Sequence, residues 1–205
     1  MTSKEFDKFD DTTRKEIGKK YGFRRSGYLS YKIVDDYFFA LYHLVASEAY
    51  LEVKPMYADD LWWDIFNCPE NKKAPKSLRG TGAFAVSATQ IASYPVFTGS
   101  WKQYTEEMIE SRWKEIFILV ENDIEAFITA NPNPDKYFPE PVYGNGCPNL
   151  LYILALLHNN AIEEATAIVN NELIKGESLG MATSDGTKTT DGYEYLIDWI
   201  NKSEK

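Results

Sequence analysis

The chain has 205 residues, 44% of them hydrophobic and 15% aromatic, so it can bury a core and its composition lies outside the disordered range. Its net charge of −9 argues against a general phosphate-binding surface, because non-specific affinity for nucleic acid comes from clustered lysine and arginine. No stretch reaches the roughly 18 apolar residues of a membrane span, and the start, MTSKEFDKFDD, has no apolar signal segment. Unless a signal segment was removed, we expect a cytoplasmic protein that binds neither nucleic acid nor membrane.

The negative charge is concentrated in the second half of the sequence. Residues 1–99 carry 14 basic and 13 acidic side chains, whereas residues 100–205 carry 8 and 18. This layout is typical of solvated helix faces that keep a protein soluble, and it also suits a surface that attracts a basic protein partner. The sequence leaves both interpretations open.

The N-terminal region, residues 1–99, has the pattern of a helix followed by an antiparallel sheet. Apolar residues at three- and four-residue steps predict a helix over 3–20, which ends at Gly22. Three aromatic and β-branched segments then predict strands, and the short turns between them require antiparallel neighbours. These strands cover residues 27–34, 37–46 and 50–56. The run AFAVSATQIASYPVF predicts a fourth strand with an irregularity near Pro95.

The acidic C-terminal region, residues 100–205, is predicted to be mostly helical. Apolar positions predict one long amphipathic helix from its N-cap, Ser100, to about Ala130, where prolines follow. A helical hairpin that turns at Asn159 and a last helix, YEYLIDWINK, come next. The predicted fold class is therefore α+β, with an N-terminal helix, an antiparallel meander of about four strands and a mostly α-helical second half. We expect the two regions to pack as one globular unit.

Two adjacent tryptophans stand out in the segment YADDLWWDIFNCP. At 100° per residue, Trp62 shares a stripe with Leu61 and Ile65 and is predicted to be core. Trp63 lies about 130° from the centre of that stripe. It is either covered by a second layer, such as the C-terminal helices or the 68–82 loop, or an exposed aromatic that binds a partner. The nearby aspartates suit the first turn of a helix, and without histidine or cysteine at ligand spacing they predict no metal site.

Five further residues are candidate binding residues. Tyr137, Phe138 and Tyr143 lie in a long proline-rich connection, and connections of this length are often functional. His43, in the predicted central strand, and His158, at a helix end, belong to the residue type that changes charge near neutral pH. Neither adjoins a nucleophile motif, and neither GTGAF nor GNG has the context of a phosphate loop. The sequence thus predicts no catalytic residue, no metal and no cofactor.

The N-terminal half carries a recognisable succession of segments. A helix ending in KKYGFRRSGYLSYKI leads into the hydrophobic strand DDYFFALYHLVAS, and the strand in LEVKPMYADDLWW leads into a helix. This succession resembles a family of small uncharacterised bacterial α+β domains, some of them immunity-protein-like. The resemblance implies a fold in which a helix leads through a glycine-phenylalanine turn into an antiparallel sheet, and it implies no catalytic residues.

Two functional hypotheses follow from these observations. The first is a non-enzymatic bacterial interaction protein, immunity-like in character, whose acidic helical half binds a basic protein partner. The second is a small-molecule-binding domain or enzyme with a pocket between sheet and helices, lined by Tyr42, His43, Trp63 and Tyr143. An exposed acidic patch with aromatic residues would favour the first, whereas a closed pocket that holds a histidine against a carboxylate would favour the second.

Overall fold

A meander of antiparallel strands follows the first helix, which confirms the predicted α+β class. The structure is a computed structural model that describes residues 1–45, 47–82, 84–139, 150–179, 182–184 and 189–203. The strands of the main sheet, in their order across it, are β1 Arg24–Ser26, β2 Leu29–Val34, β3 Tyr37–Val45, β4 Glu48–Pro55 and β5 Thr89–Pro95. Strands β6 Ala182–Ser184 and β7 Thr189–Asp191 form a separate hairpin. The helices are α1 Ser3–Lys20, α2 Met56–Ile65, α3 Leu78–Thr81, α4 Glu106–Ala130, α5 Leu150–His158, α6 Ile162–Lys175 and α7 Gly192–Ser203.

Helix α1 is capped at both ends by local interactions. The side chain of Thr2 accepts a hydrogen bond from Glu5 N, and the Glu5 carboxylate accepts one from Thr2 N, which together form a capping box. At the other end Gly22 adopts φ +80°, and the amide of Phe23 donates to Gly18 O. This left-handed residue closes the helix and turns the chain towards the sheet, as the sequence predicts.

The sheet differs from the prediction at its two edges. Strand β1 is too short for a periodic pattern and lies between the predicted helix and the first predicted strand, where no element was expected. Strand β5 is confined to Thr89–Pro95, and the irregularity expected near Pro95 lies instead where the register with β4 shifts between Leu51 and Glu52. The extra residue of this bulge is thus Ile91, in the middle of the edge strand β5.

Helix α4 starts later than predicted. Ser100 caps only a short 3-10 turn, Trp101–Gln103, and Tyr104 is extended. Thr105 is the true N-cap, since its side chain accepts from Met108 N, and Glu106 and Glu107 follow in the first turn. The prediction of Ser100 as the N-cap of the long helix was therefore wrong, because the positive helix end favours a threonine followed by two carboxylates.

The C-terminal helices match their predicted places. Helices α5 and α6 turn at Asn159 and Asn160, and α6 ends at Gly176 with φ +74°. They pack with α2 and α7 around a core that includes Trp62, Leu154 and Leu196. Within the described residues, no helix is both long and apolar enough to cross a membrane.

The described residues group into two compact units, each built from two chain segments. Unit 1 comprises Met1–Val53 and Thr89–Pro132, and unit 2 comprises Lys54–Ala88 and Asn133–Lys205. By sequence, unit 1 contains 12 basic and 16 acidic side chains and unit 2 contains 10 and 15, which gives net charges of −4 and −5. The charge concentrated in the second half of the sequence is therefore shared almost equally, because α4 belongs with the N-terminal sheet. One globular body for the whole chain stays a prediction.

Candidate functional site

The paired tryptophans are both buried, within unit 2. Trp62 is fully buried in the core, as predicted. Trp63 is 1% exposed, its Nε1 donates to Phe84 O at 3.0 Å, and the guanidinium of Arg79 lies 4.9 Å from its ring centre. The cover thus includes Arg79 from the 68–82 segment, one of the two layers that the sequence suggests. Burial removes Trp63 from the set of exposed aromatics that could contact a partner.

A fully buried ionic network lies beside Trp63, and sequence reasoning missed it. The Lys54 ammonium is 1% exposed and donates to Asp59 Oδ1 at 2.8 Å and to the carbonyls of Arg79 and Val86 at 2.6 and 2.5 Å. Asp59 Oδ1 also accepts from Val86 N at 2.9 Å. The three donors of the ammonium are all used, which is the arrangement that a buried charge requires.

Arg79 completes the network on the same side of α2. Its Nη1 donates to Met56 O at 2.7 Å and lies 3.4 Å from Asp59 Oδ2, while Nη2 donates to Asp60 Oδ1 at 2.7 Å. Two cations thus face two carboxylates. The aspartates of YADDLWW therefore hold the 79–86 segment onto α2 and serve the fold. The sequence signal for this role is a lysine inside the apolar strand LEVKPM, directly before a helix that begins with acidic residues.

The structure describes three of the four candidate binding residues that follow α4. His158 ends α5, where its ring stacks on Tyr57 at 3.7 Å and its Nε2 lies 2.8 Å from Asp135 Oδ1. Tyr137 is nearly buried and Phe138 is 40% exposed. Tyr143 lies outside the described residues, so the pocket lining that includes it stays a prediction.

The contacts of His158 fasten a short turn to the end of α5. Besides the contact between His158 and Asp135, Asn159 Nδ2 donates to Asp135 O at 2.7 Å and Lys136 Nζ donates to Asn159 Oδ1 at 2.9 Å. The side chain of Asp135 is 65% exposed. This arrangement is an open surface contact rather than a closed pocket, and a structural role accounts for it.

His43 belongs to a second buried polar cluster, in unit 1. Its Nδ1 lies 3.7 Å from Asp10 Oδ2, and its ring packs edge-on against Trp113 with 5.1 Å between ring centres. The indole Nε1 of Trp113 donates to Asp10 Oδ1 at 2.5 Å. Burial raises the pKa of Asp10, an effect only partly opposed by the Trp113 hydrogen bond and by Arg14. The structure thus places a histidine against a perturbed carboxyl, with both side chains about nine-tenths buried.

Helix α4 presents a different surface on each side. Its inner side is buried through Ile109, Trp113 and neighbouring apolar positions, and its inner acids are engaged, because Lys32 Nζ donates to Glu121 and Tyr94 Oη donates to Asp123. The burial of Tyr94 and its bond to Asp123 raise the pKa of the phenol. The inner side therefore accounts for only part of the helix's negative charge.

The outer side of α4 combines apolar and acidic side chains in the open. Met108, Ile118 and Leu119 are 47%, 51% and 41% exposed. The exposed acids on the same side are Glu107, Glu115 and Glu125, and Glu106 and Glu110 lie at the flank towards α1. Glu110 pairs with Lys114, and Glu115 pairs with Arg112. We call this set the α4 outer face.

Comparisons with protein-family models, with curated proteins and with solved structures found no match for this chain. The geometry described above is therefore the basis for assigning a function.

Proposed function

We propose that this protein is a non-enzymatic bacterial interaction domain, cytoplasmic and immunity-like, that binds a basic protein partner through the α4 outer face. The observation that carries the proposal is the exposure of Met108, Ile118 and Leu119 among glutamates. Exposed apolar side chains on a regular helix are anchors that a partner can desolvate, and the surrounding carboxylates favour encounter with a cationic surface. The exposed apolar side chains of this face belong to methionine, isoleucine and leucine rather than to the aromatic residues expected at such a patch.

The charge of α4 supports a basic partner. Between Glu106 and Ala130 the helix carries seven acidic and two basic side chains, so it accounts for more than the whole net charge of unit 1. Nucleic acid and anionic membrane surfaces would be repelled by this face, whereas lysine and arginine side chains would be attracted. The proposal excludes nucleic acid and membrane as direct partners for this face.

Site-specific photocrosslinking in living cells tests this proposal. A photoreactive phenylalanine analogue at Ile118, on the α4 outer face, should crosslink to a basic protein. The same analogue at Ile174, an apolar residue of α6 that is 85% exposed, is the matched control and should not capture that protein. Neutralising Glu106, Glu107, Glu110 and Glu115 to glutamine should abolish the crosslink at position 118.

A crosslinked protein at position 118 does not by itself support the proposal. If the crosslink survives neutralisation of the four glutamates, the interaction has no electrostatic basis. A product equally abundant at positions 118 and 174, an acidic product, or none at all would contradict it. Replacing Glu163, Glu164, Glu70 and Glu16 with glutamine removes the same charge elsewhere and should leave the crosslink intact.

A second candidate function, a small-molecule-binding domain or enzyme, is favoured by the contact between His43 and Asp10. A catalytic imidazole must exchange its proton with solvent during the reaction. Nuclear magnetic resonance of the His43 ring from pH 5 to pH 9 tests this requirement. A ring signal that does not titrate would remove His43 as a proton carrier, whereas a titrating ring that shifts with added metabolites would favour this candidate over the interaction domain.

A further inference from the structure

A surface concavity of unit 1 lies between α1 and the β1–β2 turn, away from the α4 outer face. Its volume is about 520 Å³. The residues that line it are Asp11, Arg14, Lys15, Arg25, Gly27 and Tyr28. Three of these side chains are cations and one is an anion, so the lining is basic in a protein that is acidic as a whole.

One carboxylate oxygen serves two guanidinium groups in this concavity. Asp11 Oδ1 accepts a hydrogen bond from Arg14 Nη2 at 3.3 Å and another from Arg25 Nη2. Arg25 also donates to two backbone carbonyls, from Nη1 to Asp11 O at 3.1 Å and from Nε to Gly27 O at 2.8 Å. The two guanidiniums are therefore held close together by a single carboxylate oxygen.

A second acid, the buried Asp10, also acts on Arg14. Burial raises the pKa of Asp10, and its Oδ1 already accepts from Trp113 Nε1. Burial and the charge of Arg25 lower the pKa of Arg14, and the charges of Asp10 and Asp11 oppose this shift only in part. The side chains of Arg14 and Arg25 are only 5% and 12% exposed, so water screens this excess charge less than it would at an open surface.

We propose that this concavity binds the phosphoryl group of a small phosphate ester. Paired guanidiniums match the oxygens of a phosphoryl group, and the exposed Lys15 adds a mobile third cation. Tyr28 is 45% exposed at the rim and offers an aromatic surface beside the phosphoryl position for an aromatic substituent. The site is independent of the proposed partner interface, because it lies on α1 and the β1–β2 turn.

Calorimetric titration with inorganic phosphate and with phenyl phosphate, at constant ionic strength and against chloride, tests this site. The wild-type chain should bind both anions, and phenyl phosphate more tightly. Arg25→Gln should weaken binding by about tenfold or more, since it removes a charge-assisted hydrogen bond. Lys15→Gln, at an exposed position that the fold does not need, should weaken it as well, whereas the matched surface variant Lys73→Gln should bind like the wild type.

Asp11→Asn separates an anion site from a merely structural ion cluster. This substitution removes the carboxylate that competes with the ligand for both guanidiniums, so binding of inorganic phosphate should tighten. Tyr28→Ala should abolish the preference for phenyl phosphate and leave inorganic phosphate unaffected, which distinguishes an aryl ester from free phosphate as the ligand class.

Two results would overturn the proposal. One is heat signals for phosphate no different from chloride in both the wild type and Asp11→Asn. The other is phosphate binding that is unchanged in Arg25→Gln and Lys15→Gln, because the anion would then bind elsewhere. Neither result affects the photocrosslinking test of the α4 outer face, so the two proposals can fail separately.

Discussion

Units 1 and 2 each bury a cluster of charged side chains, but they compensate these charges to different degrees. In unit 2, Lys54 and Arg79 face Asp59 and Asp60, and every donor of the Lys54 ammonium has an acceptor. In unit 1, Arg14 and Arg25 share one oxygen of Asp11. A complete network holds chain segments together and offers a ligand nothing, whereas an incomplete one retains charge with which an anion can interact.

The largest loss of stability is expected in unit 2, where the buried cations are paired with carboxylates. Lys54→Met leaves Asp59 buried with the Val86 amide and a longer contact to Arg79, and it should lower the free energy of unfolding by about 3–5 kcal/mol. Urea denaturation measures this loss. The double variant Lys54→Met with Asp59→Asn should cost less than the sum of the two single changes, because the charge left unpaired is gone. Strict additivity would contradict a paired role for these two side chains.

Replacing a buried cation of unit 1 by methionine should lower the free energy of unfolding by a smaller amount. Arg14→Met keeps a long apolar side chain against Trp113 and relieves the repulsion between Arg14 and Arg25. It forfeits a cation–π contact, a hydrogen bond to the exposed Asp11 and a long hydrogen bond to His43 O, so we expect a loss of about 1–2 kcal/mol in the same urea experiment. A loss equal to that of Lys54→Met would show that the unit 1 cluster is as fully compensated as the other.

Asp10 should make the stability of unit 1 depend on pH. Burial raises the pKa of this carboxyl above its ordinary value, so the folded chain binds the proton more tightly than the unfolded chain. Its contribution is full below the ordinary pKa and is lost as the pH rises through the folded pKa. Measured against Asp10→Asn, the wild type should therefore lose stability as the pH rises above about 4. A difference that grows in the opposite direction would show that Arg14 and Trp113 outweigh burial.

Breaking a surface ion pair should change the free energy of unfolding least. Lys72 Nζ lies 2.5 Å from Asp64 Oδ2, and the two side chains are 35% and 45% exposed. Asp64→Ala should change the unfolding free energy by about 0.5 kcal/mol or less, and added salt should reduce even that effect. Urea denaturation at two salt concentrations gives the comparison, which a change above about 2 kcal/mol would contradict.

Periodic patterns predicted the regular elements of the fold, because hydrophobic burial repeats along a helix or strand. Helix α1, the hairpin of α5 and α6, and three strands of the meander were recognisable for that reason. Strand β1, Arg24–Ser26, is too short to show a period. The start of α4 was misplaced because Ser100 and Thr105 both fit an N-cap, and the first of them in fact caps a 3-10 turn.

The candidate sites were harder to predict, because they depend on contacts between distant residues. The angular position of Trp63 correctly implied a second layer as one alternative, but Arg79 becomes its neighbour only in the folded chain. Likewise, Arg14 and Arg25 lie in a helix and a strand that look ordinary in sequence. That they share Asp11 follows from the packing of α1 against β1, which no spacing rule contains.

Because unit 1 is built from two separate chain segments, it cannot complete its fold early in translation. Residues 1–53 emerge first with α1 and most of the meander, but β5 and α4 belong to the later segment Thr89–Pro132. Until that segment emerges, the side of the sheet that contacts α4 through Tyr37 and Phe39 stays uncovered, and β4 remains an open edge. Nascent chains stalled before residue 89 should therefore engage chaperones, and those stalled well beyond residue 132 should release them.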